Sequence, residues 1–121
     1  MTKCKRVLIV DDDPNIREAL KAYFEFEGYE VRVAGNGQEA LALLKVNEKP
    51  CLILLDLMMP VMSGWEFAKI AEKDVTIGQI PIVICSAFID KAEQIKARGH
   101  LSKPLDMDEL MGLANECCPA N

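Results

Sequence analysis

Several short apolar runs in the sequence are followed at once by side chains that could take part in chemistry. These residues are three consecutive aspartates, a fourth aspartate, a serine and a lysine: Asp11, Asp12, Asp13, Asp56, Ser86 and Lys103. In an open parallel sheet, ligands bind outside the carboxyl ends of the strands. If the apolar runs are parallel strands, these side chains therefore meet at one edge of the sheet.

The chemistry that this set favours is that of a phosphate held beside a divalent cation. Crowded carboxylates repel one another unless a cation lies among them. Hard oxygen ligands favour Mg²⁺, Mn²⁺ or Ca²⁺, and Mg²⁺ combines one or two carboxylates with waters and phosphate oxygens. Lys103 would then pair with a phosphoryl oxygen, and the Ser86 hydroxyl would donate a hydrogen bond to another.

Each of these residues also has an ordinary structural explanation. An aspartate after a strand, such as Asp13 before Pro14, is most often the N-cap of a helix. Ser86 alone would be a loop hydroxyl, and Lys103 alone a solvated charge. Their joint occurrence at successive strand ends is what favours the phosphate site.

The elements that position these residues follow from the hydrophobic pattern. Strands are predicted at 6–10, 30–34, 51–55 and 80–85, with a very short fifth strand at Leu101. Helices are predicted after Asp13, after the Asn36-Gly37 turn, at about 65–72, near 90–97 and after residue 106. Apolar residues three and four apart define the inner faces of the first, second and last helices: Ile16, Leu20, Tyr23, Phe24; Ala40, Leu41, Leu44; Met107, Leu110, Met111, Ala114.

The strand compositions predict the order of the sheet. Strands one, three and four are continuous apolar runs, which is typical of strands covered on both faces, whereas strand two alternates and strand five is short. Strands two and five are therefore the expected edges. The predicted fold is α/β, a doubly wound five-stranded parallel sheet of order 2-1-3-4-5 with helices on both faces.

Composition limits the classes of function. A chain of 121 residues, 50% apolar and 27% charged, predicts one globular domain over 1–121. A net charge of -5 disfavours nucleic-acid binding. No apolar run is long enough to cross a membrane, and the first five residues lack a signal-peptide core, so we expect a cytoplasmic protein without membrane contact.

The five cysteines suggest neither a disulfide framework nor a zinc site. They are odd in number, form no CxxC pair and have no histidine at ligand spacing: Cys4, Cys51, Cys85, Cys117, Cys118. We therefore expect reduced thiols. The adjacent Cys117 and Cys118 could be redox-active, but two incidental thiols at a frayed end is the favoured interpretation.

Four strings of the sequence resemble the motifs of response regulator receiver domains. They are VLIVDDDPNIRE at 7–18, LILLDLMMPVMSGWE at 52–66, PIVICSA at 81–87 and LSKPLD at 101–106, in the family's order and over essentially the whole chain. The resemblance implies a flavodoxin-like receiver fold. It also implies a two-component signalling protein that accepts a phosphoryl group and changes conformation, rather than an enzyme with a released product.

The same resemblance implies a role for each site residue. Asp56 would be the phosphoacceptor, and Asp11 and Asp12 would hold Mg²⁺, or Mn²⁺, together with Asp56 and the Met58 backbone carbonyl. Ser86 would be the switch hydroxyl and Lys103 the phosphate-binding lysine, joined to Pro104 by a cis bond. The implied partners are a histidine kinase or histidine phosphotransfer protein and an unidentified output protein.

Two features depart from the family's pattern. His100 occupies the aromatic switch position, where its charge near pH 6 to 7 would make a switch sensitive to pH, although a surface histidine without a role is an equal alternative. Only sixteen residues separate Ser86 from Lys103, which predicts a shortened fourth helix or shortened loops. A standard output surface is therefore not expected there.

Two other functions remain open from the sequence. Asp11-Asp12-Asp13 after a strand also fits the DxD motif of haloacid-dehalogenase-type phosphatases, with Asp11 as nucleophile and Asp13 as acid. That hypothesis leaves Asp56 unexplained. A pseudo-receiver that only binds a partner is the third alternative.

Overall fold

The computed structural model describes residues 5–46, 48–87 and 95–118, which form five strands, four α-helices and one short 3-10 helix. In chain order the elements are β1 (Arg6–Val10), α1 (Pro14–Phe26), β2 (Glu30–Ala34), α2 (Gly37–Val46), β3 (Leu52–Leu55), α3 (Gly64–Lys73), the 3-10 helix (Ile77–Gln79), β4 (Ile82–Ser86), β5 (Gly99–Ser102) and α4 (Met107–Cys117).

The five strands form one parallel sheet in the order β2-β1-β3-β4-β5. The predicted order is confirmed, with β2 and β5 as the edges. Residues of the central strands are buried on both faces, whereas β2 alternates between exposed and partly buried positions. This pattern arises because helices cover both faces of the central strands and leave the edge strands partly open to water.

The core consists of two apolar layers, one on each side of the sheet. Successive residues of β1 alternate between them, since Leu8 packs in one layer and Ile9 in the other. Buried residues of α2 and α3 belong to the first layer, and those of α1 and α4 belong to the second. The predicted doubly wound arrangement is confirmed, and it brings the carboxyl ends of all five strands to one edge.

Most predicted elements are present, with small differences in their bounds. The third strand begins at Leu52 rather than at residue 51. The fourth strand begins at Ile82 rather than at residue 80. A 3-10 helix precedes it, and the Asp74 side chain accepts hydrogen bonds from the backbone N–H groups of Thr76 and Ile77 where that helix starts. The sequence did not predict that helix.

The helix predicted near 90–97 is largely outside the described residues, because 88–94 are not described. Its last three residues, 95–97, are not helical, so the prediction is wrong for them. The backbone N–H of Arg98 already donates to the Ile82 carbonyl oxygen at 2.7 Å, and Gly99 begins β5. The residues directly after 95–97 are therefore already paired with the β4 side of the sheet.

The prediction that all cysteines are reduced is wrong for one pair. Cys51 and Cys118 form a disulfide, whereas Cys85 and Cys117 are free thiols. Cys118 is also buried rather than frayed; Cys4 lies outside the described residues. The sequence contains no signal for this pair, because its members are 67 residues apart and meet only when α4 packs on the sheet.

Within the part of the chain that the structure describes, no helix is long and apolar enough to cross a membrane.

Candidate functional site

The three consecutive aspartates after β1 have three different environments. Asp11 is buried, and its Oδ1 accepts a hydrogen bond from the Asp13 backbone N–H at 2.9 Å. Asp12 is exposed. Asp13 is the N-cap of α1, where its Oδ1 accepts from the Asn15 N–H at 2.9 Å and Pro14 occupies the first helical position. The side chain of Asp13 is therefore used in the helix cap.

Asp56 follows β3, the central strand, and is 6% exposed. Its backbone N–H donates to the Val10 carbonyl oxygen at 2.9 Å, which continues the pairing of β3 with β1 beyond the last strand residue. The parallel register therefore brings the Asp56 carboxylate beside the aspartates that follow β1. Because both faces of this central strand are covered, the carboxylate at its end is shielded from water.

Lys103 connects the two carboxylate-bearing strands. Its Nζ lies 2.7 Å from Asp11 Oδ2 and 3.6 Å from Asp56 Oδ1. The lysine follows β5, and its backbone N–H donates to the Ser86 carbonyl oxygen at 3.1 Å. The Lys103–Pro104 peptide bond is cis, as the family resemblance implied. The ammonium group is thus held between two acidic side chains that come from other parts of the sheet.

Asp11, Asp12 and Asp56 form an acidic cluster that could hold a metal ion. Each offers a carboxylate oxygen, and these oxygens all lie within 4.8 Å of one another. Two of the three residues are buried and the third is exposed to water. A hexacoordinate cation that keeps several waters fits such a half-open set of oxygens, which is the preference of Mg²⁺.

The electrostatics of the cluster follow from burial and from the neighbouring charges. Burial raises the pKa of Asp56; the Lys103 ammonium opposes this, and the charges of Asp11 and Asp12 add to it. Burial alone would lower the pKa of Lys103, but its hydrogen bond to Asp11 and the two carboxylate charges outweigh burial, so that pKa is raised. Lys103 therefore stays protonated at neutral pH, while burial disfavours the charged form of Asp56.

The remaining predicted residues lie around this cluster. Ser86 is fully buried at the end of β4, next to β3 in the sheet. The Met58 side chain is half exposed in the loop after Asp56. His100 is exposed on the edge strand β5, opposite Ile84 in the register. The structure therefore brings together Asp11, Asp12, Asp56 and Lys103 and leaves His100 on the outer strand.

Two residues near the site were not singled out from the sequence. Arg17 Nη1 donates to the Asp11 carbonyl oxygen at 2.8 Å and so fixes the backbone of that aspartate. Gly64 begins α3 directly against the backbone after β3: its N–H donates to the Leu57 carbonyl oxygen at 2.9 Å, and an added Cβ would lie 2.8 Å from Leu57 Cα. The sequence shows only a glycine directly after Ser63, the residue that caps α3. The need for glycine at this position comes from the close approach to Leu57.

Comparison with known proteins agrees with this geometry. The family model for the response regulator receiver domain matches residues 7–115. The chain is 33% identical over 115 residues to Protein PilH of Pseudomonas aeruginosa, covering 91% of this chain and 94% of that one. It is 34% identical over 120 residues to Sporulation initiation phosphotransferase F of Bacillus subtilis, covering 95% and 94%.

Among solved structures, the fold is similar to that of the response regulator TrrA from Thermotoga maritima in complex with Mg²⁺-BeF. The TM-score is 0.83 at 34% identity, over 93% of this chain and 98% of that one. A receiver protein from Pseudomonas putida gives a TM-score of 0.88 at 26% identity, over 96% and 99%. With the family model and these relatives in agreement, the chain belongs to the response regulator receiver domain family and is a phosphoacceptor signalling domain.

Proposed function

We propose that Asp56 is the residue that accepts the phosphoryl group. The observation that carries this proposal is the position of its carboxylate, which is buried at the end of the central strand, 3.6 Å from the Lys103 ammonium and within the acidic cluster. A nucleophile that receives phosphate needs positive charge close to the incoming oxygens, and among the three clustered aspartates Asp56 and Asp11 contact Lys103. Asp11 already uses both its oxygens, towards Asp13 and Lys103.

The reaction would be an in-line transfer from a phosphohistidine. An Asp56 carboxylate oxygen attacks phosphorus, a P–O bond forms, the P–N bond to the donor imidazole breaks, and an acyl phosphate results. Lys103 stabilises the negative charge on the transferred oxygens, for which its ammonium has to move only a short way from Asp11. Ser86 would donate its hydroxyl to one of these oxygens, and attack by water on the same phosphorus would later regenerate Asp56.

Asp11, Asp12, Asp56 and the Met58 carbonyl would hold Mg²⁺, with Mn²⁺ as an alternative. The fit rests on the three carboxylate oxygens within 4.8 Å of one another, a net negative site that one lysine does not neutralise. When bound, the cation supplies positive charge that neutralises the carboxylates and the phosphoryl oxygens.

The output would be a conformational state read by another protein. Phosphorylation draws Ser86 towards the new negative group, and His100 on the edge strand is the residue whose exposure would respond. The donor would be a histidine kinase or a histidine phosphotransfer protein. Because phosphohistidine donors are made with ATP, the expected location is the cytoplasm.

The test is phosphorylation by acetyl phosphate in Mg²⁺, with the labelled residue mapped by mass spectrometry after reduction of the acyl phosphate with borohydride. We expect the label on Asp56, and none in Asp56→Asn or in the presence of a chelator. Asp13→Asn is the matched control, since it makes the same change at a strand-end aspartate outside the acidic cluster while Asn can keep the N-cap of α1, and it should still be labelled.

Three outcomes would contradict the proposal. Label on Asp11 would indicate the phosphatase mechanism, label retained in Asp56→Asn would indicate another acceptor, and no label in a protein shown to bind Mg²⁺ would indicate a pseudo-receiver.

A further inference from the structure

The disulfide between Cys51 and Cys118 joins the residue before β3 to the residue that ends α4. The two Cα atoms are 5.8 Å apart, within the usual range for a disulfide. Each backbone is held independently of the sulfurs: the Cys51 N–H donates to the Arg6 carbonyl oxygen at 3.0 Å, and the Cys118 N–H donates to the Ala114 carbonyl oxygen at 2.8 Å. Backbone hydrogen bonds as well as the disulfide therefore hold the two residues in place.

The same site also accommodates the two thiols. Cys51 Sγ lies 3.1 Å from the Arg6 carbonyl oxygen, so a reduced thiol has an acceptor already in place. Cys118 is 1% exposed and packs in the apolar layer with Leu110 and Ala114, where a neutral thiol behaves as a small apolar side chain. The surroundings of the two sulfurs therefore suit a pair of thiols as well as the disulfide.

A small thiol that exchanges with the disulfide can reach one of its two cysteines from the solvent. Cys51 is partly exposed, whereas Cys118 is buried, so an incoming sulfur would attack Cys51. The two free thiols in the described part of the chain are poor competitors. Burial raises the pKa of Cys85 to about 12 and also raises that of Cys117, and the thiolate is the form that attacks.

We propose that Cys51 and Cys118 form a reversible thiol–disulfide switch, operated by low-molecular-weight thiols and disulfides of the glutathione type, that fastens the end of α4 to the sheet. In the closing direction the Cys51 sulfur attacks a small disulfide and releases one small thiol. The Cys118 sulfur then attacks Cys51 in the mixed disulfide and releases the second. The protein pair loses two electrons and two protons, and the small disulfide is reduced to two thiols.

The segment under control is the last part of α4. Besides the disulfide, this end is held by Leu110 and Ala114 in the core and by the Tyr29 hydroxyl, which lies 3.1 Å from Asn115 Oδ1. Opening the bond would therefore loosen the end of the helix without releasing the whole element. Most disulfides in reducing compartments are of this transient, redox-sensing kind.

The switch is separate from the acidic cluster. Cys51 precedes β3 and Asp56 follows it, so the two lie at opposite ends of the strand, roughly 16 Å apart along the chain direction. Labelling of Asp56 by acetyl phosphate should therefore be the same in both redox forms. This separates a failure of the switch from a failure of the phosphoacceptor proposal.

The test is equilibration of the full chain in glutathione buffers of graded ratio, followed by alkylation, intact mass and peptide mapping. We expect a two-thiol change that is reversible and maps to Cys51 and Cys118. From the 67-residue separation, the melting temperature of the oxidised form should exceed that of the reduced form by roughly 10–20 °C. Amide exchange in the last turns of α4 should be faster in the reduced form.

Cys51→Ser and Cys118→Ser should each remove the dependence on glutathione, and Cys117→Ser, at the neighbouring position, should keep it. Since Cys118→Ser introduces a hydroxyl into the core, the reduced wild-type protein provides the second, mutation-free comparison. The proposal is overturned if the pair stays reduced in excess oxidised glutathione, if it resists excess reduced glutathione, if Cys117→Ser abolishes the response, or if both redox forms melt together.

Discussion

Removal of the exposed carboxylate at Asp12 should make the metal-free protein more stable. Asp12 lies with the buried Asp11 and Asp56 in a cluster whose oxygens are within 4.8 Å of one another. Lys103 is the ammonium that contacts the cluster, and it is bound to the other two aspartates rather than to Asp12. In the absence of a cation, the charge of Asp12 is therefore the least compensated of the three.

The size of the effect follows from these distances. Because Asp12 is exposed, the dielectric constant of water is the appropriate limit, and each carboxylate pair at this separation costs about 1 kcal/mol. Two pairs cost about 2 kcal/mol, and attraction to Lys103 offsets roughly half of that. Asp12→Asn, which keeps the shape of the side chain, should raise the free energy of unfolding by about 1 kcal/mol and the melting temperature by roughly 4 °C.

Mg²⁺ should reverse this order of stability. A ligand that binds only the folded state at one hundred times its Kd stabilises it by about 2.7 kcal/mol, and Asp12→Asn removes one ligand for the cation. The assay is urea unfolding, followed by circular dichroism, of both proteins in a chelator and in saturating Mg²⁺. Asp12→Asn should be the more stable protein in the chelator, and the wild type the more stable in Mg²⁺.

Glu18→Gln is the control, because it removes one exposed negative charge from α1 that is not part of the acidic cluster. Its stability should respond to Mg²⁺ as the wild type does. The reasoning is refuted if Asp12→Asn is less stable than the wild type in the chelator, or if Mg²⁺ stabilises both by the same amount. High salt should shrink the difference in the chelator, since it screens the exposed charge.

Three further predictions concern Asp56 and two residues that follow it, Val61 and Gly64. Burial raises the folded-state pKa of Asp56 above 3.8, so its ionisation destabilises the metal-free fold at neutral pH. Asp56→Asn should therefore have the higher free energy of unfolding in a chelator at pH 7. Urea titrations should show that the difference from the wild type shrinks as pH falls through the raised pKa. Gly64→Ala should lower the free energy of unfolding by about 2 kcal/mol, since its Cβ would lie 2.8 Å from Leu57 Cα; an unchanged urea midpoint would contradict this. Val61 is exposed and has a φ of 67°, a left-handed backbone that a β-branched residue rarely adopts. Val61→Asn should therefore raise the free energy of unfolding by about 1 kcal/mol, and a lower value would show that the backbone is not strained there.

The sequence alone determined the order of the strands and the membership of the candidate site. Continuous apolar runs distinguished β1, β3 and β4 from the alternating β2 and the short β5, because burial on both faces demands apolar residues at every position. Residues directly after those runs had to share one edge of a parallel sheet, which is why Asp11 and Asp56 could be assigned together. These are local properties of the chain, read from neighbouring residues.

Helix starts were also local. Asp13 and Ser63 cap α1 and α3 through hydrogen bonds to N–H groups two and three residues ahead. The 3-10 helix was missed because Asp74 uses the same kind of side-chain bond where no apolar period follows. The segment at 95–97 was wrongly predicted as helix because its residue types suit a helix, while pairing of the next residues with β4 decides its conformation.

Contacts between distant residues were decided by the tertiary structure alone. Lys103 is 92 residues from Asp11, and Cys51 is 67 residues from Cys118. The position of Lys103 after a strand predicted that it joins the site, but its direct contact with Asp11 depends on the register of the sheet. No composition or spacing indicates which cysteines pair, because that depends on how α4 packs against the sheet. The close approach of Gly64 to Leu57 is of the same kind, since an ångström of space between two backbones is set by packing and leaves no periodic trace in the sequence.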